Sequence, residues 1–181
     1  MKPEFRIRRA LPVDIPRLEA LIERSARVLS RGFYTDRETE SAIAYVFGVD
    51  SQLVSDGTYL IVETDSELLG CGGWSKRRTL YGGDQRPIGE QELLDPKHDP
   101  ARIRAFFVAP EAARRGVGRR LLEACADAAG AAGFSRLELM GTLPGVPFYE
   151  ALGFLSEEDV IDVLPDGVPL RFVRMTRDLP G

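Results

Sequence analysis

Between Val108 and Leu122 the chain reads V-A-P-E-A-A-R-R-G-V-G-R-R-L-L, an apolar strand, then a turn of arginines and glycines, then an amphipathic helix. At a helix start the first backbone N–H groups have no internal partner, so they point outward with the helix dipole behind them and attract negative charge. Gly116 and Gly118 let the backbone come close to a ligand, since no Cβ stands in the way. Arg114, Arg115, Arg119 and Arg120 surround the turn with guanidinium groups, which suit bidentate phosphate contacts. The segment reads as an anion cradle. The same letters also describe a glycine turn with solvated arginines, and this stretch alone does not decide between the two.

A chain of 181 residues with 44% hydrophobic and 29% charged residues can bury one core, so a single domain is expected. A formal net charge of -4 argues against a general nucleic-acid binder, which would carry a basic face. No stretch approaches the apolar length of a membrane span, and Met-Lys-Pro-Glu-Phe lacks the apolar core of a signal peptide, so a cytoplasmic location is the expectation. Cys71 and Cys125 sit in apolar surroundings and read as buried free thiols. His98 is the only histidine and no Cys/His spacing suits a metal, so no metal is expected and His98 reads as a loop residue.

The order of elements is mixed. Phe5 and Ile7 alternate as in a strand, and Asp14 or Pro16 opens a helix with Leu18, Leu21, Ile22, Val28 and Leu29 on one stripe. Thr35-Asp36-Arg37-Glu38 is a capping box for a second helix through Phe47, with Gly48 as its stop. Thr58 to Glu63 and Leu68 to Trp74 read as an antiparallel hairpin about Asp65-Ser66. From Ser75 to Asp99 the chain, with Gly82, Gly83, Pro87, Gly89 and Pro96, has no sustained period and reads either as a loop beside the functional site or as a surface insertion. Arg102 to Val108 is the strand feeding the glycine turn, and the helix from Gly116 to Ala129 buries Leu121, Leu122, Cys125 and Ala128. Phe134 to Met140 reads as a strand, Val146 to Leu152 as a short helix, and Phe154 to Leu179 as two strands about Pro165-Asp166-Gly167.

This order resembles the Gcn5-related N-acetyltransferase (GNAT) family, and two motifs carry the resemblance. Pro110 to Leu122 is similar to the family's acetyl-CoA pyrophosphate loop, [R/Q]-x-x-G-x-[G/A]. P-F-Y-E-A-L-G-F, from Pro147 to Phe154, is similar to its tyrosine-bearing helix and the exit into the next strand. The resemblance implies a single α/β domain over residues 5–177, with a mixed sheet of six to seven strands, splayed at the cofactor site and flanked by about four helices. It implies that the 113–118 loop holds the pyrophosphate, through Gly116, Val117 and Gly118 with Arg114, Arg115 and Arg119 nearby. The backbone around Phe107 and Val108 would pair with the pantetheine arm, Thr142 would stand near the cofactor, and Tyr149 would protonate the departing thiolate. A phenol, with a reference pKa of about 10, can donate at neutral pH.

Three departures stand out. Ala113 replaces the usual Arg or Gln, leaving that contact to Arg114 or Arg115. Thr142 stands where many relatives carry Asn, and its hydroxyl supplies part of that hydrogen bonding. The strand Arg104 to Val108 has no carboxylate, where several relatives carry a general-base Glu. Glu138, Asp84, Glu40 or a water wire are the alternatives, and the sequence does not choose among them.

The resemblance further implies direct transfer of an acetyl group from acetyl-CoA, as co-substrate, to an amine on a small molecule or peptide. The acceptor wall would be drawn from Tyr34, Tyr45, Phe47, Trp74 and Tyr81, with Asp36 or Asp84 facing a cationic amine. The rival reading is a non-catalytic acyl-CoA-binding sensor or interaction module on the same fold. A P-loop enzyme fails because no Lys-Ser or Lys-Thr follows the glycines. Relatives are often homodimers, and Asp159 to Val163 and Leu170 to Met175 are the strands that could pair across such an interface.

Overall fold

The computed structural model describes residues 4–86 and 91–181, so Pro87 and Gly89 lie outside the described residues. In chain order it contains β1 (Arg6–Arg9), α1 (Ile15–Leu29), α2 (Asp36–Tyr45), α3 (Ser51–Asp56), β2 (Tyr59–Glu63), β3 (Leu68–Ser75), β4 (Ala101–Val108), α4 (Val117–Ala131), β5 (Arg136–Thr142), α5 (Val146–Ala151), β6 (Leu155–Val163) and β7 (Pro169–Asp178). Single 3-10 turns at Pro12–Asp14 and Pro110–Ala112 precede α1 and α4.

The local chemistry of these elements is that of their letters. The Thr35 hydroxyl accepts from the Glu38 N–H at 3.2 Å and the Glu38 carboxylate accepts from the Thr35 N–H at 2.8 Å, so the capping box forms in full. On α1 the buried stripe is Leu18, Leu21, Ile22, Ser25 and Ala26, with Val28 and Leu29 only half-buried. On α4 it is Val117, Gly118, Leu121, Leu122, Cys125, Ala126 and Ala129, so Ala129, rather than Ala128, completes the face. The sequence reading missed α3, whose six residues are too few to display a period. Its ends are nevertheless marked: the Asp50 carboxylate accepts from the Gln52 N–H at 3.1 Å, and Gly57 closes it at φ +72°.

The strands form one open seven-stranded sheet in the order β1-β2-β3-β4-β5-β7-β6. Every pairing is antiparallel except β4 with β5. Neighbouring residues of β4 show how the layers lie: the Phe107 ring meets Phe47 beyond α2, while the Phe106 ring meets Phe148 and Tyr149 of α5. Successive side chains of a strand point to opposite faces, so α1 to α3 cover one face and α4 with α5 the other. The buried residues fall into two clusters, the larger of which spans both faces by taking in Val117 and Leu121 of α4.

Candidate active site

The parallel pair β4/β5 is joined only at Ala101↔Leu137 and Arg102↔Glu138. Beyond Arg102 the two strands part, and the sheet is split at its centre. On its other side β4 continues to pair with β3, but with a slip: Cys71 faces Phe107 while Gly73 faces Arg104, so Ala105 and Phe106 together oppose Gly72. This is a β-bulge, and Ala105 sits in it at φ +49°. The slip exchanges faces along the strand, which puts Arg102 and Arg104 on the same face as Phe107. The Ala109 N–H donates to the Leu69 carbonyl at 2.8 Å. By the alternation of an antiparallel ladder, the peptide groups of Phe107 then face β3, and those of Phe106 and Val108 face the split.

The arginine and glycine turn lies at the open end of β4. Gly116 is the N-cap of α4 at φ +81°, with open space where its Cβ would be. Arg114 has φ +62°. The first helical bond in this region runs from the Arg120 N–H to the Gly116 carbonyl. Among the described residues no backbone acceptor serves the N–H groups of Gly116, Val117, Gly118 and Arg119, which is the unfilled donor set of a helix start. Arg114, Arg115 and Arg119 are exposed and form no ion pair with another described residue. Arg120 turns away and stacks on the Phe5 ring at 4.6 Å. Glu111 is clamped to α1 by Arg24, at 2.7 and 2.8 Å, which anchors the approach to the turn. The cradle therefore fits a diphosphate: backbone donors, a dipole and three uncommitted guanidinium groups.

Tyr149 is brought to the same opening by packing of α5 on α4. A Cβ on Gly118 would lie 3.0 Å from Phe148 Cζ, so the second glycine of the turn is what lets the two helices meet. The Tyr149 ring is enclosed by Phe148, Phe154 and Phe106, at centroid distances of 5.1, 5.6 and 6.2 Å. Its hydroxyl makes no hydrogen bond with another described residue. Burial, with the Cys125 thiol close by, pushes its pKa well above that of a free phenol.

The opposite face of the split is roofed by the first part of the long loop, which is an ordered strap rather than a loose insertion. Arg104 Nη2 donates to the Gly82 carbonyl at 2.7 Å, the Asp84 carboxylate accepts from the Ser51 N–H at 2.9 Å, and Gln85 donates to the Phe47 carbonyl at 2.9 Å. Tyr81 and Arg86 both donate to Asp162 of β6, at 3.0 and 2.6 Å, and the Arg86 guanidinium covers the Tyr81 ring. Tyr81 also packs on Phe172 of β7. Arg104 Nη2 stands 2.8 Å from Asp50 Oδ2 but is aimed at Gly82, so Asp50 Oδ2 and Arg104 Nε are buried without hydrogen-bond partners among the described residues. Charge alone joins them, and burial raises the Asp50 pKa and lowers that of Arg104.

Other residues singled out in the sequence fall as follows. Tyr34 is a tie, donating to the Arg171 carbonyl at 2.5 Å and accepting from the Leu143 N–H at 3.0 Å, and burial pushes its pKa up to about 12. Phe47 and Tyr81 stand on the strap face, whereas Trp74 packs against Phe134 on the other face. Tyr45 is half-buried and Asp36 exposed on α2. Thr142 Oγ1 accepts from the Gly145 N–H at 3.3 Å, steadying the turn into α5. The three carboxylates weighed as bases are each engaged. Glu138 pairs with Arg102 at 2.8 Å and Arg174 at 3.4 Å, Asp84 holds Ser51, and Glu40 holds Arg27 at 2.8 Å. His98 is exposed beside Asp95, and both cysteines are buried and free. Among the described residues no group of three His, Cys, Asp or Glu side chains could hold a metal, and no helix is long and apolar enough to cross a membrane. Sequence reasoning missed Tyr59, Phe106, Phe148, Arg86 and Asp162. The one signal available was the doublet Phe106-Phe107, which breaks the alternation of β4 where the bulge falls.

Comparison with known proteins agrees with this geometry. The model of the acetyltransferase (GNAT) family matches residues 20–154. A GCN5-related N-acetyltransferase from Rhodopseudomonas palustris is similar in structure, with a TM-score of 0.70 at 21% identity over 99% of this chain and 97% of that one. The PaiA N-acetyltransferase from Thermoplasma acidophilum, in complex with coenzyme A, gives 0.65 at 16% identity over 97% and 99%. The N-acetylglutamate synthase from Neisseria gonorrhoeae, complexed with coenzyme A and N-acetyl-glutamate, gives 0.61 at 22% identity over 100% of this chain but 36% of that one. No curated protein sequence matches.

Proposed function

The chain belongs to the acetyltransferase (GNAT) family, and from that premise we propose that residues 5–177 form one N-acetyltransferase domain that moves an acetyl group from acetyl-CoA directly to an amine. The diphosphate rests on the N–H groups of Gly116, Val117 and Gly118, with Arg114, Arg115 and Arg119 around it. The pantetheine arm lies along the open edge of β4, where the peptide groups of Phe106 and Val108 supply the pairing that β5 does not. The amine loses its proton to water and enters from the strap face, between Phe107 and Phe172. Its nitrogen attacks the thioester carbonyl, and N–H groups of the β4 edge stabilise the oxyanion. As the C–N bond forms the C–S bond breaks, and the leaving sulfur takes the proton of the Tyr149 hydroxyl. The tyrosinate recovers a proton from the nitrogen through water.

The observation that carries this reading is the convergence, at one split in the sheet, of a donor set, a strand edge and a buried phenol that find no hydrogen-bond partner among the described residues. The support for a small-molecule acceptor is the enclosure of the strap face by Tyr81, Phe47, Phe107 and Phe172, and the N-acetyl-glutamate bound by the Neisseria relative. The test is release of free CoA from acetyl-CoA across a panel of amino acids, polyamines, arylamines and peptide N-termini. Acetylation of at least one amine, identified by mass, is expected. Tight binding of acetyl-CoA with no turnover on any member would overturn the reading in favour of a sensor.

A further inference from the structure

The bulge in β4 is built on a residue that ordinarily avoids its conformation. Ala105 stands at φ +49°, a region that a Cβ makes unfavourable and that glycine would occupy freely. Something outside the strand must hold it there. The Tyr59 hydroxyl, from β2, donates to the Ala105 carbonyl at 2.7 Å. β2 and β4 are not neighbours, since β3 lies between them. The reach is possible because β3 carries Gly73 at the crossing: a Cβ there would lie 2.9 Å from Tyr59 Cδ2. On the other face the Phe106 ring fills the space over Gly72, where a Cβ would lie 2.5 Å from Phe106 Cδ2. The glycines of β3 thus admit one ring on each side of the bulge. Tyr59 has no exposed surface, and burial holds its phenol protonated, so the donor is permanent.

We propose that Tyr59 is a positioning residue for acetyl transfer: its hydroxyl fixes the Ala105 bulge and so keeps the Phe106 and Val108 peptide groups turned into the split where the thioester lies. The proposal rests on the acetyltransferase reading above for its ligand, but the bulge itself can be tested without one. Tyr59 touches neither donor nor acceptor. It acts through the backbone two strands away.

The experiment compares wild type, Tyr59→Phe, Ala105→Gly and the double variant by amide hydrogen exchange on the free protein and by calorimetric binding of acetyl-CoA. In Tyr59→Phe the β3-facing amides of Phe107 and Ala109 should exchange about tenfold faster or more, and the acetyl-CoA Kd should rise about tenfold, a misplacement effect. Ala105→Gly in the same chain should restore both to within about threefold, because glycine accepts the bulge conformation without an anchor. A merely structural role for Tyr59 would not be rescued by a glycine, which loosens the chain further. A folded Tyr59→Phe protein with wild-type exchange and Kd overturns the proposal, as does failure of the glycine rescue. If Tyr59→Phe alone does not fold, the comparison is made in the Ala105→Gly background, where loss of the hydroxyl should change the Kd by less than about threefold, and a larger change overturns it. A wild type that binds no acetyl-CoA would refute the acetyltransferase reading, while the exchange arm would still judge the bulge.

Discussion

Replacing Tyr149 with Phe separates chemistry from packing unusually well in this site. The ring is held by Phe148, Phe154 and Phe106, all edge-on, and Phe in its place keeps every one of these contacts. The hydroxyl has no hydrogen-bond partner among the described residues, so its removal breaks no protein contact, and stability should move by no more than about 0.5 kcal/mol. If the hydroxyl is the acid, the loss in kcat should be about 10² to 10⁴-fold, or about 2.7 to 5.4 kcal/mol of transition-state stabilisation. The KM for acetyl-CoA should change little, since the cradle is untouched. The pH dependence follows the same cause: burial raises the phenol pKa above its usual value of 10, so the acid stays protonated and kcat should show no alkaline decline from this group below about pH 10. The assay is thiol release followed by a chromogenic disulfide, with thermal unfolding of the same samples. Turnover within about threefold of wild type, at unchanged stability, would refute the assignment of Tyr149 as acid, because the expected effect lies well outside that range.

Three further outcomes follow from the geometry. Gly116→Ala should weaken acetyl-CoA binding about tenfold, measured by calorimetry, because φ +81° disfavours an L residue by about 1–2 kcal/mol, although its Cβ would meet no other atom. Cys71 and Cys125 are pushed up to about 12 by burial from an ordinary value near 9, so the native state keeps protons that the unfolded chain releases. The stability they contribute is complete below pH 9 and is lost as pH rises towards 12, at about 1.4 kcal/mol per unit for each thiol; urea unfolding between pH 8 and 11 should show a shallower decline in Cys125→Ala. Glu138→Gln should cost about 1–3 kcal/mol of stability with less than a tenfold fall in kcat, whereas a fall above a hundredfold at unchanged Tm would select Glu138 as the base over a water wire.

What the sequence disclosed and what it withheld divide along a physical line. Periodic and capped segments were legible: Thr35 and Glu38 announce α2, and the run from Arg102 through the glycines to Leu122 announces strand, turn and helix. The glycine turn at the start of α4 and the short helix that carries Tyr149 were legible because each depends on residues close together in the chain. The bulge was not, because Ala105 carries no mark of a positive φ, and its anchor comes from Tyr59, forty-six residues earlier. The strap was not, because its order derives from single contacts made to α2, α3, β4 and β6, none of which leaves a period. Trp74 looked like a wall residue by proximity to the loop, yet the alternation of β3 sends it to the opposite face, against Phe134.

The split in the sheet needs a fixed end as much as an open one. At that end Glu138 receives Arg102 from β4 at 2.8 Å and Arg174 from β7 at 3.4 Å, so one carboxylate joins three strands immediately before β4 and β5 part. The bulge begins three residues further along β4, while Arg102 and Glu138 share a face because they are register partners across β4 and β5. The staple and the bulge bracket the point of separation: the first stops it from running the length of the strands, and the second turns the freed edge of β4 into the split. A carboxylate committed in this way cannot swing to the acceptor without releasing two guanidinium groups from a mostly buried site, which would leave charges unpaired. This is the structural reason to look for the amine's proton in water rather than on Glu138, even though it is the carboxylate of β5 nearest the split.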